Sequence, residues 1–514
     1  MSRAHRKSCP TRVSAHSLLS LALTTTYSLA LQIVATYKGF FVGHPQTKTF
    51  KSTLDWLWTC SLKPRTPAAY LDEIAATEQG GLKSNVSGIA TMITRVLTGS
   101  NLPADANNIQ ILVETEMKRH GNGTVCRAEG RVLLAAWVGP STANSTGSTT
   151  TTRAPKRASR EEATRFGLFG CDFFAAWGNR TEDGRLLASR NLDIAPATGI
   201  SAHKLVAVYR FTDGRAPYAT VGFAGYLGAL AGMSSTGITV SEANLDNAAV
   251  SFDGIAWPLR LRELLGSARN LSHARAMWAT QNNTAAFNFL VGSASDARRS
   301  ESDGADADAD AYADADADVR VGVRVGVDGG GSPAAAVALE TTALATSAFL
   351  GNSSVEAAAT FACHNGTVMD GHTCSWPNND GRPVSIGAPL DDCVFRSNHA
   401  LSPAVMRTQE PLWNDTVMRY FLLHDRLEER SPLTVGDALD VTSLLGIKGA
   451  DYGSCAPGNF LTGDPTHVMS IVYDPERNGM YAAWEDGMRL KGEDHDWRPA
   501  GCNTYLWLDM GKLW

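Results

Sequence analysis

Short apolar runs separated by turn residues follow one another through the second half of the chain. Runs of this kind, bounded by turns such as residues 181–184, are typical of strands joined into hairpins. They predict strands at 172–177, 185–193, 205–211, 218–223, 238–241, 287–291 and 335–339, and helical spacing predicts helices at 256–265 and 272–280. Because hairpins and helices do not alternate as regular βαβ units, the order favours an α+β layered fold.

The part of the chain ahead of these strands follows a different pattern. Residues 36–140 carry apolar residues at spacings that predict a mainly helical segment, with helices near 54–62, 74–89 and 109–117. Residues 141–170 begin with a stretch rich in Ser and Thr and poor in apolar residues, which predicts a solvated linker. The chain therefore divides into a helical N-terminal segment and a larger domain over 171–514.

One segment of the larger domain does not fit this pattern. Residues 296–333 contain alternating Ala and Asp, followed by a repeat of Val, Arg and Gly. Alternating aspartates on one face of a strand could bind calcium, but the segment lacks the glycine turn and the bidentate glutamate of a calcium loop. Its charge opposes compaction, so we expect a disordered surface insertion.

The amino terminus indicates export. Four basic residues between Arg3 and Arg12 precede a mostly apolar stretch over 18–35, which is typical of a signal peptide spanning 1–35. A signal anchor is the alternative, and the polar residues within the stretch weaken it. No other segment is predicted to span a membrane, so we expect no stable span once the signal is removed.

Glycosylation sequons support the same interpretation. Nine Asn-x-Ser/Thr sites occur without an intervening proline, at Asn85, Asn122, Asn144, Asn179, Asn270, Asn282, Asn352, Asn365 and Asn414. Nine such sites behind a signal-like segment predict a glycoprotein of the secretory pathway, either lysosomal or extracellular.

Charge and cysteine usage narrow the classes of partner. The net charge of −6 gives no basic footprint, so a nucleic-acid partner is not expected. No Cys-x-x-Cys pair occurs among the nine cysteines, and neither a metal nor a cofactor is predicted. An oxidising compartment favours disulfides, whose pairing stays open. If Cys171 is free, at least one further cysteine outside the signal region is unpaired.

The chemistry-bearing residues cluster in the first predicted hairpin. Gly170 and Cys171 open one strand, and Arg190 and Asp193 lie at the end of the returning strand. A guanidinium beside a thiol favours the thiolate, and a carboxylate can hold an ammonium group. The structural alternative is a buried, inert cysteine, because free cysteines are often buried.

Four segments in order resemble the amino-terminal-nucleophile hydrolases of the acyl-CoA:6-aminopenicillanic acid acyltransferase-like family. More distantly, they are similar to bile-salt hydrolases, acid ceramidase and N-acylethanolamine acid amidase. The segments are CDFFAAWGNRTEDGRLLASRNLD, GYLGALAGMSSTGITVSEANLD, FRSNHAL and HVMSIVYDP, at 171–193, 225–246, 395–401 and 467–475. The resemblance implies a four-layer αββα sandwich made as a precursor that cuts itself between Gly170 and Cys171.

The resemblance also assigns roles to individual residues. Cys171 would be the nucleophile, with its own new α-amino group as the base. Arg190 would stabilise the thiolate or the substrate carbonyl, and Asp193 would orient the α-ammonium group. Asn398 would donate to the oxyanion and Asn244 would face the nucleophile. A supporting charge would come from Arg419.

Two departures from the family pattern stand close to these residues. Asp172 follows the nucleophile where Thr or Ser is usual, and this carboxylate is expected to raise the pKa of the thiol. Ser234 and Ser235 stand where Asn-Glu is common, so that loop is expected to contact substrate differently. His399 adjoins Asn398 but is not needed, because the α-amine supplies the base.

The predicted function is a self-processing hydrolase of linear non-peptide amides, working through an acyl-thioester on Cys171, with acyl transfer as a further outcome. Its partners would be a small-molecule amide or acyl-lipid substrate and its own cleaved N-terminal fragment. Two alternatives stay open. One is an inactive secreted or lysosomal glycoprotein of the same fold that binds lipid or a partner, and the other keeps Cys171 in a disulfide.

Overall fold

The computed structural model describes most of the chain outside its amino terminus, its linker and several loops. The described residues are 48–83, 85–102, 106–120, 124–138, 169–194, 199–247, 249–302, 334–362, 383–409, 414–443, 466–485 and 498–514, with a few short pieces between them. The predicted linker up to residue 168 and most of the predicted signal peptide lie outside this part of the chain. No helix in the described residues has the length and apolar character needed to cross a bilayer.

The N-terminal segment is helical, as predicted. Its helices are α1 (Lys48–Leu57), α2 (Ala68–Lys83), α3 (Ile89–Gly99), α4 (Ala106–Arg119) and α5 (Val125–Val138). A disulfide joins Cys60 to Cys126, and the indole N–H of Trp56 donates to the Cys126 carbonyl at 2.8 Å. The Glu78 carboxylate accepts from the N–H groups of Gly88 and Ala90, so it satisfies free donors at the start of α3.

The remainder of the chain forms two large sheets and two small ones. The strands are β1 (Phe169–Gly178), β2 (Gly184–Ile194), β3 (Lys204–Tyr209), β4 (Tyr218–Phe223), β5 (Ala231–Ser234), β6 (Ile238–Asn244), β7 (Phe287–Ser293), β8 (Val323–Val325), β9 (Ala336–Thr341), β10 (Thr346–Phe349), β11 (Thr360–Ala362), β12 (Val368–Met369), β13 (His372–Thr373), β14 (Pro383–Ser385), β15 (Cys393–Arg396), β16 (Thr466–Asp474), β17 (Gly479–Trp484) and β18 (Leu506–Asp509). One sheet has the order β15-β1-β2-β16-β17-β18, and the other has the order β3-β4-β5-β6-β7-β9-β10-β8. Every described pairing in them is antiparallel except that of β8 with β10.

The two large sheets pack face to face between layers of helix. The helices of this half are α6 (Trp257–Ser267), α7 (Leu271–Ala279), α8 (Ala294–Ser302), α9 (Ser354–Ala357), α10 (Pro403–Met406), α11 (Asn414–Glu429) and α12 (Val435–Ser443). β1 and β2 contact β6 and β7, while α11 and α12 pack on the first sheet and α6 and α7 on the second. This arrangement confirms the predicted αββα sandwich.

The central strand β1 is buried on both of its faces. Residues 173–177, Phe-Phe-Ala-Ala-Trp, are each no more than 1% exposed. A short, continuous apolar run is the pattern expected of such a strand. Residues at the start of β1 are therefore held deep in the molecule, between a sheet and a helix layer.

The N-terminal helices pack against the second sheet and its helices through buried polar contacts. Arg262 of α6 pairs with Glu73 of α2 at 3.0 Å and donates to the Tyr218 hydroxyl at 2.9 Å. Its guanidinium also lies over the ring of Tyr70, 4.9 Å from the centroid. The indole of Trp257 donates to a backbone carbonyl in the loop after α3. The N-terminal segment and the sandwich thus share a desolvated interface.

A glycine-rich passage at 222–232 and the segment at 296–333 both adjoin the second sheet in sequence. The glycine-rich passage is closely packed, because a Cβ on Gly232 would lie 2.7 Å from the Ala219 carbonyl oxygen. The predicted disordered insertion instead begins within α8, and β8 forms part of it. Most of the insertion lies outside the described residues. The strand β8 was missed because three residues give too short a pattern to recognise.

The packing at Gly228 gives a test of the fold. A Cβ there would overlap the Pro258 side chain at the start of α6. Gly228→Ala is expected to destabilise the protein by about 1–3 kcal/mol, because the helix has to move. Gly436→Ala is the matched control, since a Cβ there meets only the Thr434 hydroxyl at 3.5 Å and lies in a helix, where Ala is preferred. Thermal unfolding midpoints that are equal for both variants would contradict this account.

Candidate active site

The pairing of β1 with β2 sets the geometry of the site. In this register Gly170 stands opposite Asp193, Cys171 opposite Leu192, and Asp172 opposite Asn191. Side chains alternate between the faces of a strand. Cys171 therefore faces the space between the two sheets, whereas Asp172 and Asp193 face the layer formed by α11 and α12.

On the inner face, the thiol lies beside a buried ion pair. Nη2 of Arg190 is 3.7 Å from Sγ of Cys171, and Arg190 also donates to the Leu230 carbonyl and pairs with Glu242 of β6. Burial raises the pKa of the Cys171 thiol well above its usual value, Glu242 adds to this effect, and Arg190 opposes it. Burial in this position therefore favours the thiol over the thiolate. Arg190 favours the thiolate less than the sequence suggested, because the negative charge of its partner Glu242 offsets its positive charge.

The sequence analysis did not single out Glu242, although it lies in the quoted segment at 225–246. A glutamate in the middle of an apolar strand could have indicated a site residue, because a buried carboxylate requires a charged or hydrogen-bonding partner. The partner lies in the other sheet, so neither local spacing nor the hairpin pattern indicates it.

The backbone of Cys171 is held by two predicted residues, and a third contacts one of them. Its N–H donates to Oδ1 of Asn398 at 2.8 Å, and its carbonyl accepts from Nη1 of Arg419 at 2.8 Å. Arg419 also donates to Asn398 Oδ1 at 2.7 Å. The Nδ2 of Asn398 donates to the backbone and side-chain oxygens of Asn244. All five residues that were predicted to be catalytic, together with Arg419, therefore surround one peptide bond.

The opposite face of β1 carries a second buried charged group. Asp172 accepts from Asn191 at 2.9 Å, and Nη1 of Arg419 lies 3.7 Å from Asp172 Oδ2 and 3.9 Å from Asp193 Oδ2. Nε2 of His467, on β16, is 3.2 Å from Asp193 Oδ1 and 3.9 Å from Asp172 Oδ2. Sequence reasoning missed His467 as a site residue, although it begins the fourth quoted segment.

Burial and mutual repulsion shift the pKa values on this face. Burial raises the pKa of Asp172 to about 8, the charge of Asp193 adds to the increase, and Arg419 opposes it. Burial also lowers the pKa of His467. Asp172 is in turn one of the charges that raise the pKa of the Cys171 thiol, as predicted from its departure from the family pattern.

Asp172, Asp193 and His467 are grouped closely enough to hold a metal ion. One ligand atom from each lies within 4.8 Å of the others. The Arg419 guanidinium, however, lies within 3.9 Å of both carboxylates, so it already places a positive charge against them. A divalent cation would meet repulsion there.

Gly170, the residue before Cys171, has no room for a side chain. A Cβ on Gly170 would lie 2.7 Å from Asp193 Oδ2 and 3.2 Å from the Asp193 Cβ. Close backbone approach of this kind explains a glycine within a strand. The Gly170–Cys171 peptide bond therefore lies directly against Asp193.

His399 and Ser234, which the sequence analysis also considered, are buried and make hydrogen bonds with neighbouring backbone and hydroxyl groups. His399 is buried, its ring nitrogens lie near the hydroxyls of Ser397 and Thr416 and the Ile386 carbonyl, and burial lowers its pKa to about 3. Ser234 is buried in the β5–β6 turn, where its hydroxyl accepts from the Ile238 N–H. No contact of Ser234 with the site occurs among the described residues.

A cavity of about 210 Å³ lies between the N-terminal helices and the second sheet. It is lined mainly by apolar and aromatic groups, including Ile93, Leu205, Tyr209 and Tyr226, with Glu73 at one side. The Tyr226 hydroxyl donates to the Ser100 hydroxyl at 3.4 Å. Burial raises the pKa of Tyr226, and the charge of Glu242 adds a smaller increase that Arg190 opposes.

The structure describes several of the cysteines and sequons. Cys171 and Cys393 are free, so the alternative of a disulfide at Cys171 is wrong, while a second unpaired cysteine was expected. Cys502 is also disulfide-bonded. Asn85, Asn179, Asn282 and Asn352 are exposed and Asn270 is half-buried, whereas the remaining sequon side chains are not described.

Comparisons with known proteins give structural similarities only. No family model and no curated protein matches the chain. An N-acylethanolamine-hydrolyzing acid amidase ortholog from Caenorhabditis elegans is similar at 12% identity and a TM-score of 0.33, over 59% of this chain and 93% of that one. A mutant of conjugated bile acid hydrolase from Clostridium perfringens is similar at 11% identity and a TM-score of 0.34, over 66% of this chain and 93% of that one.

Proposed function

We propose that this chain is a self-processing cysteine hydrolase that breaks its Gly170–Cys171 bond and then hydrolyses linear, non-peptide amides through an acyl-thioester on Cys171. One observation carries the proposal. The thiol, the N–H and the carbonyl of Cys171 are each contacted by a different polar side chain: buried Arg190, half-buried Asn398 and buried Arg419 respectively. Structural cysteines in a core do not need such an arrangement, because they behave as small apolar groups.

Self-cleavage would begin with an acyl shift. The Cys171 sulfur adds to the carbonyl carbon of Gly170, and the bond to the Cys171 nitrogen breaks. The thiol proton ends on that nitrogen, which leaves as an α-amine. Water then hydrolyses the thioester, giving a carboxylate on Gly170 and a free thiol. Residues from about 36 to 170 would form the small fragment, held by the interface between Arg262 and α2.

Turnover would use the new amino terminus as the base. A free α-amine has an ordinary pKa of about 8, which suits proton transfer near neutral pH. It would take the thiol proton as sulfur attacks the acyl carbon, and return the proton to the leaving amine. Water would then release the acid, and a second amine in place of water would give acyl transfer. Asn398 and Arg190 are the nearest groups for the developing oxyanion.

The apolar lining of the cavity suggests that the protein recognises its substrate through an apolar acyl group. Its volume of about 210 Å³ and its lining of Ile93, Leu205 and two tyrosines suit a hydrocarbon chain rather than a charged peptide. Because the N-terminal helices form one wall, the small fragment would have to stay bound for this site to persist. The substrate would be an N-acyl amide or acyl lipid of small size.

Placement in the secretory pathway, lysosomal or extracellular, forms part of the proposal. The Cys60–Cys126 disulfide and the bonded Cys502 suit an oxidising compartment, where such bonds persist. The exposed sequons in the described part of the chain are accessible for glycosylation. An inactive binding glycoprotein of the same fold is the competing function, and the buried, protonated thiol is what favours it.

Self-cleavage is tested by intact mass and amino-terminal sequencing of the deglycosylated protein. The wild type is expected to give a fragment that begins Cys171-Asp172-Phe173, and Cys171→Ala is expected to stay whole. Cys393→Ala is the matched control, because Cys393 is also free and buried but is not one of the residues around the Gly170–Cys171 bond; it should cut as the wild type does. A wild type that stays whole after acidification, or is cut only within 141–160, would support the binding-protein function instead.

The closeness of Gly170 to Asp193 gives a second test. Gly170→Ala is expected to slow self-cleavage by about 10- to 100-fold, because the added methyl displaces the bond from the attacking thiol by a fraction of an ångström or more. The rate is measured by the appearance of the large fragment after acidification. Gly436→Ala should cut at the wild-type rate. Equal rates for both variants would show that the position of Gly170 against Asp193 is unimportant.

A further inference from the structure

We propose that Asp172 and His467 complete, with Asp193, a buried cradle for the α-ammonium group that Cys171 gains on cleavage, and that His467 is the positioning residue for Asp193. The inference rests on the proposed function and adds two residues to it. Asp172 stands where resembling sequences usually carry Thr or Ser. His467 lies about 270 residues further along the chain than Asp193.

The first argument is that these groups have unused hydrogen-bonding capacity. Oδ2 of Asp172, both carboxylate oxygens of Asp193 and both ring nitrogens of His467 are inaccessible to solvent and have no hydrogen-bond partner among the described residues. His467 approaches Asp193 to 3.2 Å without the alignment of a hydrogen bond. Buried polar atoms are nearly always satisfied, so their grouping at one point indicates a missing donor.

The second argument is a shortage of positive charge. In the described part of the chain, the carboxylates of Asp172 and Asp193 face a single guanidinium, that of Arg419, and burial keeps His467 neutral by lowering its pKa. Across the strand, Arg190 and Glu242 form a pair of their own. An α-ammonium group would supply one positive charge and three donors. In the uncut chain Asp172 can remain neutral instead, since its pKa is raised to about 8.

The third argument is the position of the cradle relative to the bond that breaks. Asp193 stands opposite Gly170 on one side and opposite His467 on the other. The register of β16 shifts between His467 and Met469, and irregularities of this kind re-aim side chains beside active sites. When Gly170 leaves, the space against Asp193 that its backbone fills becomes available to the new amine of Cys171.

The cradle predicts a pH profile that a structural role would not produce. The groups that face the ammonium are Asp172, Asp193, Arg419 and His467, with Arg190 and Glu242 across the strand and Tyr505 beyond Asp172. A nearby carboxylate stabilises the ammonium relative to the neutral amine and disfavours the thiolate relative to the thiol. Removing one carboxylate therefore makes both groups easier to deprotonate. The pKa of the amine–thiol pair should therefore fall.

The experiment is the pH dependence of Cys171 alkylation by iodoacetamide, followed by mass spectrometry on the cleaved fraction of each protein. Asp172→Thr should move the midpoint about one pH unit lower, which is about a tenfold faster labelling at a pH below the midpoint. His467→Gln, which keeps the side chain uncharged, should move the midpoint in the same direction. Asp440→Asn is the matched control, because Asp440 is exposed and pairs with Arg430 at 3.2 Å, and its midpoint should stay at the wild-type value.

Three outcomes would overturn the cradle. If both variants still cleave and their midpoints equal that of the wild type, the cradle is overturned while the proposed function stands. A wild type that never cleaves would overturn the cradle and the proposed function together. Saturable protection of the wild type by Zn²⁺ alone, lost in His467→Gln, would identify a metal site in its place. Asp172→Asn repeats the test if Asp172→Thr fails to fold.

Discussion

The pairing of β1 with β2 places the Gly170–Cys171 bond between two groups of buried charged side chains, one on each face of β1, and the other features of the site follow from this constraint. The register sets Asp193 against Gly170 and lets Cys171 face Arg190 between the sheets. Cys171 is buried, so its backbone N–H and carbonyl need partners within the protein. Asn398 and Arg419 supply those partners on the backbone of Cys171.

Charge is balanced differently on the two faces of β1. On the inner face, Arg190 and Glu242 neutralise one another, so the thiol experiences little net positive charge and stays protonated. On the outer face, two carboxylates share one guanidinium among the described residues, and the deficit is met by a raised pKa at Asp172. Breaking the bond would create a cation at the point where the deficit lies. The carboxylates of Asp172 and Asp193 would therefore already be in place to neutralise the new α-ammonium group of Cys171.

Much of this arrangement could be predicted from the sequence, and the remainder could not for physical reasons. The apolar run at 172–177 and the returning strand to Asp193 predicted the hairpin. The quoted segments pointed to Asn244 and Asn398, and Arg419 was predicted from outside them; Asn398 and Arg419 contact Cys171, and Asn244 contacts Asn398. Glu242 and His467 were missed, because each is defined by a buried partner on a strand distant in sequence. Neither periodicity nor spacing reports contacts across sheets. The helix α8, where the predicted insertion begins, was not predicted because its strongly polar sequence lacks the apolar spacing of a packed helix.

The measurement that tests the central claim most directly is the capture of an acyl-enzyme. The purified, cleaved protein is mixed with a chromogenic N-acyl amide, quenched in acid during turnover and digested for peptide mapping. The account predicts that the peptide beginning at Cys171 carries the mass of the acyl group and loses it on treatment with hydroxylamine, as a thioester does. An acyl group found on any other residue, or turnover with no acylated peptide, would contradict the assignment of Cys171 as the nucleophile.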